Sequence, residues 1–317
     1  MEKNILISVC MSTYNHEEYI EEALNSVLEQ ECDFEFEIIL SNDKSSDNTH
    51  AVITKYIENH PKGNKVRYYN QPKNLGINNN LIFTLEQTKG KYIALLEGDD
   101  YWTDSKKLQK QFDFLEKNTE YSICTAALKS IIPKEGLVLR TYEDHIEGVT
   151  YDLNDIRKIR PNYLNMFFRK DALDVNMLKN FKYSGDNAIF IMCLAEGKGY
   201  FMNQITGFRR THANGLWSSM SEKDRIKMGS DQYIGLLQYP KLRKYIRPIL
   251  FVIYLDLFVI ENERKYLKDA LKLIKYPKEF LYFLKVVIFH SLNLRDTKKK
   301  FIFKTKVYQL LQKIKKL

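Results

Sequence analysis

Apolar residues recur along the first hundred positions in two alternating periods. Short runs of strand character at residues 5–11, 35–41, 66–69 and 92–96 are separated by stretches of helical spacing. Ile20, Ala23, Leu24, Val27 and Leu28 fall on one helical face. They follow Asn15-His16-Glu17-Glu18, which reads as an N-cap with a glutamate three residues on. Asp47 is placed to cap a second helix carrying Val52, Ile53, Tyr56 and Ile57, and residues 76–88 have the spacing of a third. Strands alternating with helices in this way predict a parallel sheet covered on both faces.

Beyond residue 104 the pattern loosens. A helix with Leu108, Phe112 and Leu115 precedes a strand at 121–128. Residues 130–162, punctuated by Pro133, Gly136, Gly148 and Pro161, read as loops and a hairpin. A strand at 163–168, a helix at 186–196 and a last strand at 200–208 follow, and from about residue 239 the chain turns to long apolar and basic helices. The expected division is a domain at 1–238, with a first part at about 1–128 and a second at about 129–238, then a helical region at 239–317.

At 317 residues and 44% apolar content the chain has ample material for a core. Its four cysteines (Cys10, Cys32, Cys124, Cys193) show neither CxxC nor metal-ligand spacing, which predicts reduced thiols rather than a disulfide scaffold or zinc site. The apolar run at 5–11 leads straight into a turn without a cleavage site, so it is expected to be the first strand rather than a secretory signal. The net charge of +9 is unevenly spread. Residues 241–317 hold 20 Lys and Arg against 6 Asp and Glu, so a basic partner surface would be C-terminal.

In an open α/β sheet, ligands lie beyond the carboxyl ends of the strands. Ser12, Thr13, Tyr14 and Asn15 follow the first strand; Asn42 and Asp43 end the second; Asp99, Asp100, Tyr101 and Trp102 follow the fourth. An aromatic ring that can stack on a base, a carboxylate that can accept from a base N–H and a carboxylate pair that can hold a cation together suit a nucleotide diphosphate. Singly, each has a plainer reading as a turn, a cap or a solvated acidic pair. No GxGxxG follows a strand and no GxxxxGK[ST] is present, which argues against dinucleotide oxidoreductases and P-loop enzymes.

The segments ISVCMSTYNHEEYIEEALNSVLEQ, EIILSNDKSSDNT, NLG and GKYIALLEGDDYWTDSKKLQKQ, with the later YSGDNAIFIMCLAEGKGYF and GFRRTHANGLWS, resemble the family 2 glycosyltransferases in family order from about residue 5 to 218. The resemblance implies a GT-A fold, a Rossmann-like nucleotide-diphospho-sugar transferase with a mixed sheet flanked by helices. It further implies inverting, metal-dependent transfer from a nucleotide sugar, expected to be UDP-linked, to a hydroxyl of a glycan or lipid-linked oligosaccharide, in the synthesis of a surface polysaccharide. Carried over residue by residue, Ser12 and Tyr14 line the base pocket, Asp43 accepts from the base, Asp99 reaches the ribose or metal, Asp100 ligates Mn²⁺ or Mg²⁺, and Asp186 is the catalytic base. Two departures stand out: Asn42 replaces the first of a frequent aspartate pair, and Asn78-Asn79-Asn80 replaces a segment that usually carries an arginine. Arg209, Arg210 or His212 would then supply positive charge to the phosphates.

Alternatives stay open at several positions. Asp186 also suits a helix N-cap, His212 an ordinary surface loop as well as a metal or phosphate contact, and Trp102 and Trp217 core packing as well as a sugar or acceptor cleft. The apolar stretches at 249–260 and 281–294 are too short to span a bilayer. With the lysines around them they suit either an interfacial surface on anionic lipid or a packed helical subdomain. No nucleic-acid recognition motif accompanies the charge. A cytoplasmic enzyme, peripheral at the inner face of the membrane, is the expectation, with a catalytically degenerate nucleotide-sugar or glycan binder of the same fold as the alternative.

Overall fold

The computed structural model describes residues 5–275 except 133–135, 141–147, 157–158, 160–161, 182–184, 213–214, 216–219 and 262. The chain forms two compact units, Met1–Ser219 and Met220–Leu317.

In the first unit, β1 (Ile5–Thr13) is central, and its apolar side chains are buried on both faces. That is why the segment reads as a continuous apolar run rather than an alternating one. It pairs in parallel with β2 (Glu35–Asn42) and β4 (Tyr92–Glu97), and β2 pairs with β3 (Val66–Asn70). The crossovers are α1 (Ile20–Leu28), α2 (Thr49–Asn59) and α3 (Ile77–Glu86). The five apolar residues expected on one face of α1 are all fully buried. The expected cap is not formed: Asn15 lies in the left-handed region, at φ 56°, and its side chain accepts from Ser46 instead. The helix begins four residues later, after Tyr19.

Past β4 the sheet becomes mixed, in the order β3-β2-β1-β4-β9-β6-β10-β5. The additional strands are β5 (Tyr101–Trp102), β6 (Tyr121–Ile132), β7 (Gly136–Arg140), β8 (Val149–Tyr151), β9 (Phe167–Arg169) and β10 (Lys198–Arg209). The expected hairpin is the antiparallel pair β6 and β7, while β8 pairs with β10. The expected strand at 163–168 is instead a single 3-10 turn, Tyr163–Asn165, followed by the short β9. Here the Asn165 amide donates to the carbonyls of Ala126 and Ala127, so a side chain takes the place of a main-chain ladder and lets the backbone turn.

Helix α4 (Lys107–Lys117) and the largely apolar α6 (Asp186–Glu196) pack on this sheet, and the one-turn α5 (Val175–Leu178) packs on α3. In the second unit, α7 (Glu222–Leu236), α8 (Arg243–Glu261) and α9 (Arg264–Lys272) pack together, and Glu261 pairs with Lys223 and Lys227 of α7. Helix α7 had no counterpart in the sequence pattern. Among the described residues no helix is long and apolar enough to cross a membrane. The stretch at 281–294 lies outside the described residues.

One core group is out of character. Lys107 is fully buried, with its ammonium 4.1 Å from the Trp102 ring centroid and 2.7 Å from Gln111 Oε1. Burial pulls its pKa down to about 7. Because the folded value lies below the unfolded one, Lys107 destabilises the fold fully below pH 7, and the penalty fades as pH rises towards the unfolded value. Lys107→Met should therefore raise the unfolding free energy most at pH 6 to 7. The advantage should shrink by roughly 1.4 kcal/mol per pH unit towards pH 10, as denaturant titrations across that range would show. A pH-independent difference would mean that the amine stays protonated.

Candidate active site

The register of the parallel strands assembles the site. Thr13 pairs with Asn42, Asn42 with Asn70, and Ser12 with Glu97, so the carboxyl ends of four strands stand side by side. Amides continue the alignment past the strand ends, from Asp43 to the Thr13 carbonyl, Gln71 to Asn42 and Gly98 to Ser12. Tyr14 is 46% exposed just above this edge, where its ring is accessible for stacking.

Asp43 is buried and accepts from the amides of Leu75, at 2.6 Å, and Gly76, at 3.0 Å. Burial pushes its carboxyl above the ordinary range, against the pull of these two amides. Asn42 donates to Asn70 Oδ1 at 3.1 Å and accepts from the Ser45 amide and hydroxyl. An ionised aspartate cannot make that donation, which gives a reason for an amide at this position. Asn78 turns inward, donating to the carbonyls of Leu178 and Phe181. The α3 position where the arginine was missed thus ties that helix to the segment leading to Asp186.

The fourth strand's end carries Glu97, Asp99 and Asp100, whose carboxylate oxygens lie within 4.8 Å of one another. Asp100 is only 2% exposed and accepts from the Arg210 amide at 2.8 Å. Burial, then the Asp99 charge, raise its pKa well above the usual range. Glu97 is raised likewise, by burial first and then by Asp99, Asp100 and Asp186. Asp99 differs. Burial works against its charge, but the hydrogen bond with His212 and the nearby imidazoles of His16 and His212 outweigh it and hold Asp99 below the ordinary range. His212 Nε2 is 3.0 Å from Asp99 Oδ2, and His16 Nε2 is 3.8 Å from the same oxygen.

Arg210 locks this corner: its guanidinium donates to the Asp99 carbonyl, pairs with Glu22 and lies between the rings of Tyr19 and Tyr101. Arg209 opposes the raised pKa of both Glu97 and Asp100. Ser12 faces the Tyr163 hydroxyl, which burial, Glu97, Cys10 and Asp186 push well above the usual phenol range.

Asp186 is the first residue of α6. It follows Gly185 at the N-cap position, and its carboxylate accepts from the Asn187 amide at 2.7 Å, so it also satisfies a donor of the helix's first turn. Trp102 is 4% exposed, and its indole N–H donates to the Leu164 carbonyl, so most of the ring is packed in the core. Trp217 lies outside the described residues. His16, Glu97 and Tyr163 were not singled out from the sequence. His16 offered a signal as a potential ligand just past a strand end, while the other two are recognisable only through their neighbours.

Several buried polar atoms here have no hydrogen-bond partner: Thr13 Oγ1, Asp99 Oδ1, Arg209 Nε, Thr211 Oγ1 and a ring nitrogen on each of His16 and His212. Buried polar groups are normally paired, and such a concentration marks a place for a polar ligand. A carboxylate oxygen and imidazole nitrogens are also a suitable donor set for a divalent cation.

Comparison with known proteins agrees with this architecture. The family described as "Glycosyl transferase family 2" matches residues 8–191. An uncharacterized protein of Mycobacterium tuberculosis is 38% identical over 244 residues, covering 73% of this chain, and the aligned region spans 65% of that relative's length. TuaG of Bacillus subtilis, a glycosyltransferase named for teichuronic acid biosynthesis, is 27% identical over 216 residues, covering 68% of this chain and 82% of TuaG. Residues 1–349 of Staphylococcus aureus TarS, crystallised with UDP-GlcNAc, superpose with a TM-score of 0.62 at 19% identity, covering 89% of this chain and 80% of that 1–349 segment. The fold is therefore GT-A.

The site's tightest joint is at Gly98, where a Cβ would stand 2.6 Å from Thr13 Oγ1, 2.8 Å from Thr13 Cβ and 3.0 Å from His16 Nδ1. Gly98→Ala must displace one of these side chains. It should lower the unfolding free energy by about 1 to 3 kcal/mol, with the secondary structure retained by circular dichroism. Parental stability in denaturant titrations would show that the site tolerates the shift.

Proposed function

Since this chain belongs to glycosyl transferase family 2, we propose that it transfers a sugar from a nucleotide diphosphate donor, UDP-linked, to a hydroxyl of a glycan or lipid-linked oligosaccharide in surface-polysaccharide synthesis, with inversion at the anomeric carbon. The observation that carries this reading is the meeting of unpartnered, ligand-ready groups of Asp99, His16 and His212 at the carboxyl end of β4 with a carboxylate at the start of α6 whose charge reaches Glu97.

In this reading the nucleotide lies across the strand ends, with Tyr14 stacking on the base and Ser12 and Asp43 on its polar edge. Both Asp43 oxygens already receive amides, and each retains a second lone pair for a base N–H. Asp99 and Asp100, whose carboxylates lie together with that of Glu97, would hold the cation, Mn²⁺ or Mg²⁺, and Asp100 also accepts the Arg210 amide. When bound, such an ion neutralises charge developing on the leaving diphosphate. Arg209 adds a fixed positive charge close to the same carboxylates. Asp186 accepts the acceptor hydroxyl's proton as that oxygen attacks the anomeric carbon, and direct displacement by one nucleophile inverts the centre.

The basic C-terminal region would hold the enzyme at the inner face of an anionic membrane, where a lipid-linked acceptor is found. Helix α9 supports this, with Arg264, Lys265, Lys268 and Lys272 along a helix that buries Tyr266 and Ala270.

Asp186→Asn should bind UDP and Mn²⁺ like the parent while transfer falls roughly 100-fold or more. Asp99→Asn should lose cation-dependent donor affinity together with rate, and excess chelator should abolish transfer until Mn²⁺ or Mg²⁺ is restored. Parental transfer by a folded Asp186→Asn protein would remove the base from the mechanism.

Cosedimentation tests the membrane reading. The full chain should bind vesicles containing phosphatidylglycerol at low salt and release them at high salt. Replacing Lys298, Lys299 and Lys300 with alanine should weaken that binding while leaving solution transfer intact. Salt-independent binding, or none, would leave a packed helical subdomain.

A further inference from the structure

We propose that His16 is a ligand of the cation: with Asp99 and His212 it forms a site of two imidazoles and one carboxylate, which selects a transition-metal ion such as Mn²⁺ over Mg²⁺. The use of this ion in transfer rests on the function proposed above, but the site itself rests on geometry.

The backbone of His16 is held from three directions. Asn15, at φ 56°, turns the chain inward after Tyr14; the His16 amide donates to Thr49 Oγ1 at 2.8 Å; and its carbonyl accepts from the amides of Tyr19 and Ile20. Those contacts direct the imidazole over Gly98, where the missing side chain makes room for it. The two histidine rings stand at 89° with centroids 6.2 Å apart, approaching Asp99 from different directions. One donor atom from each of His16, Asp99 and His212 lies within 4.8 Å of the others. Ligands about 2.1 Å from a shared ion sit roughly 3 to 4 Å from each other, so small side-chain movements suffice to close the shell.

Packing alone does not account for this arrangement. Asp99 Oδ1 and Nδ1 of each histidine are buried without a hydrogen-bond partner, while Nε2 of each histidine faces Asp99 Oδ2, so the three residues carry more polar capacity than their mutual contacts use. Mg²⁺ favours oxygen donors and keeps its waters; Mn²⁺ also takes oxygen ligands but, as a first-row transition ion, accepts imidazole more readily. Two nitrogen donors therefore tilt the choice of ion before any nucleotide arrives.

Electron spin-echo measurements on the full chain with Mn²⁺, with and without UDP, count the coordinated imidazole nitrogens directly. The parent should show two, and His16→Ala and His16→Gln one each. Calorimetry should find Mn²⁺ bound about 10- to 100-fold more weakly by the folded variants, with a smaller preference for Mn²⁺ over Mg²⁺. One imidazole in the parent, or unchanged Mn²⁺ affinity in both variants, would overturn the assignment of His16 while leaving glycosyl transfer to be judged by the Asp186→Asn rates. Two imidazoles in a protein that transfers no sugar would uphold the site and reject the function.

Discussion

Three carboxylates within four residues, at the end of a buried strand, cannot all carry charge without something to oppose it. At Glu97, Asp99 and Asp100 this repulsion organises what surrounds them. Burial and mutual repulsion raise Glu97 and Asp100, while the imidazoles keep Asp99 ionised. Arg210 ties its backbone to Asp100 and its side chain to the Asp99 carbonyl. A divalent cation and a diphosphate fit such a place as a pair, since each offsets a charge that the other would leave exposed.

Rigidity is supplied from outside the charged cluster. Loops after β1 and β2 are stitched by Asn15 to Ser46, His16 to Thr49 and Glu17 to both Asp47 and Asn48. Asp43 then anchors the turn into α3, and Asn78 of α3 anchors the segment leading to α6. Hydrogen bonds thus tie the end of β2 to the start of α3, and α3 to the carbonyls of Leu178 and Phe181.

The two halves of the sheet are held in different ways. The parallel half is held by regular ladders and buried apolar runs. The mixed half depends on single polar side chains, such as Asn165 on β6 and the Trp102 indole on Leu164. Lys107, buried beneath that indole, is a cost carried by the core rather than a part of the site.

The sequence by itself determined the α/β class, the parallel strands and the buried face of α1, because period and burial are local properties of an amphipathic chain. It also offered Tyr14, Asp43, Asp99, Asp100 and Asp186 as candidates, because they follow strand ends or open a helix, where an architecture of this kind places its ligands. Only the tertiary structure decided which of two adjacent aspartates faces the imidazoles, since that depends on Arg210, a hundred residues away, giving its amide to Asp100. It likewise withdrew Trp102 into the core, turned the segment before β9 through Asn165, and brought His16 against Asp99. Contacts between residues far apart in the chain leave no periodicity for a sequence to display, and hydrogen bonds between such residues choose among local conformations that the sequence leaves nearly equal in energy.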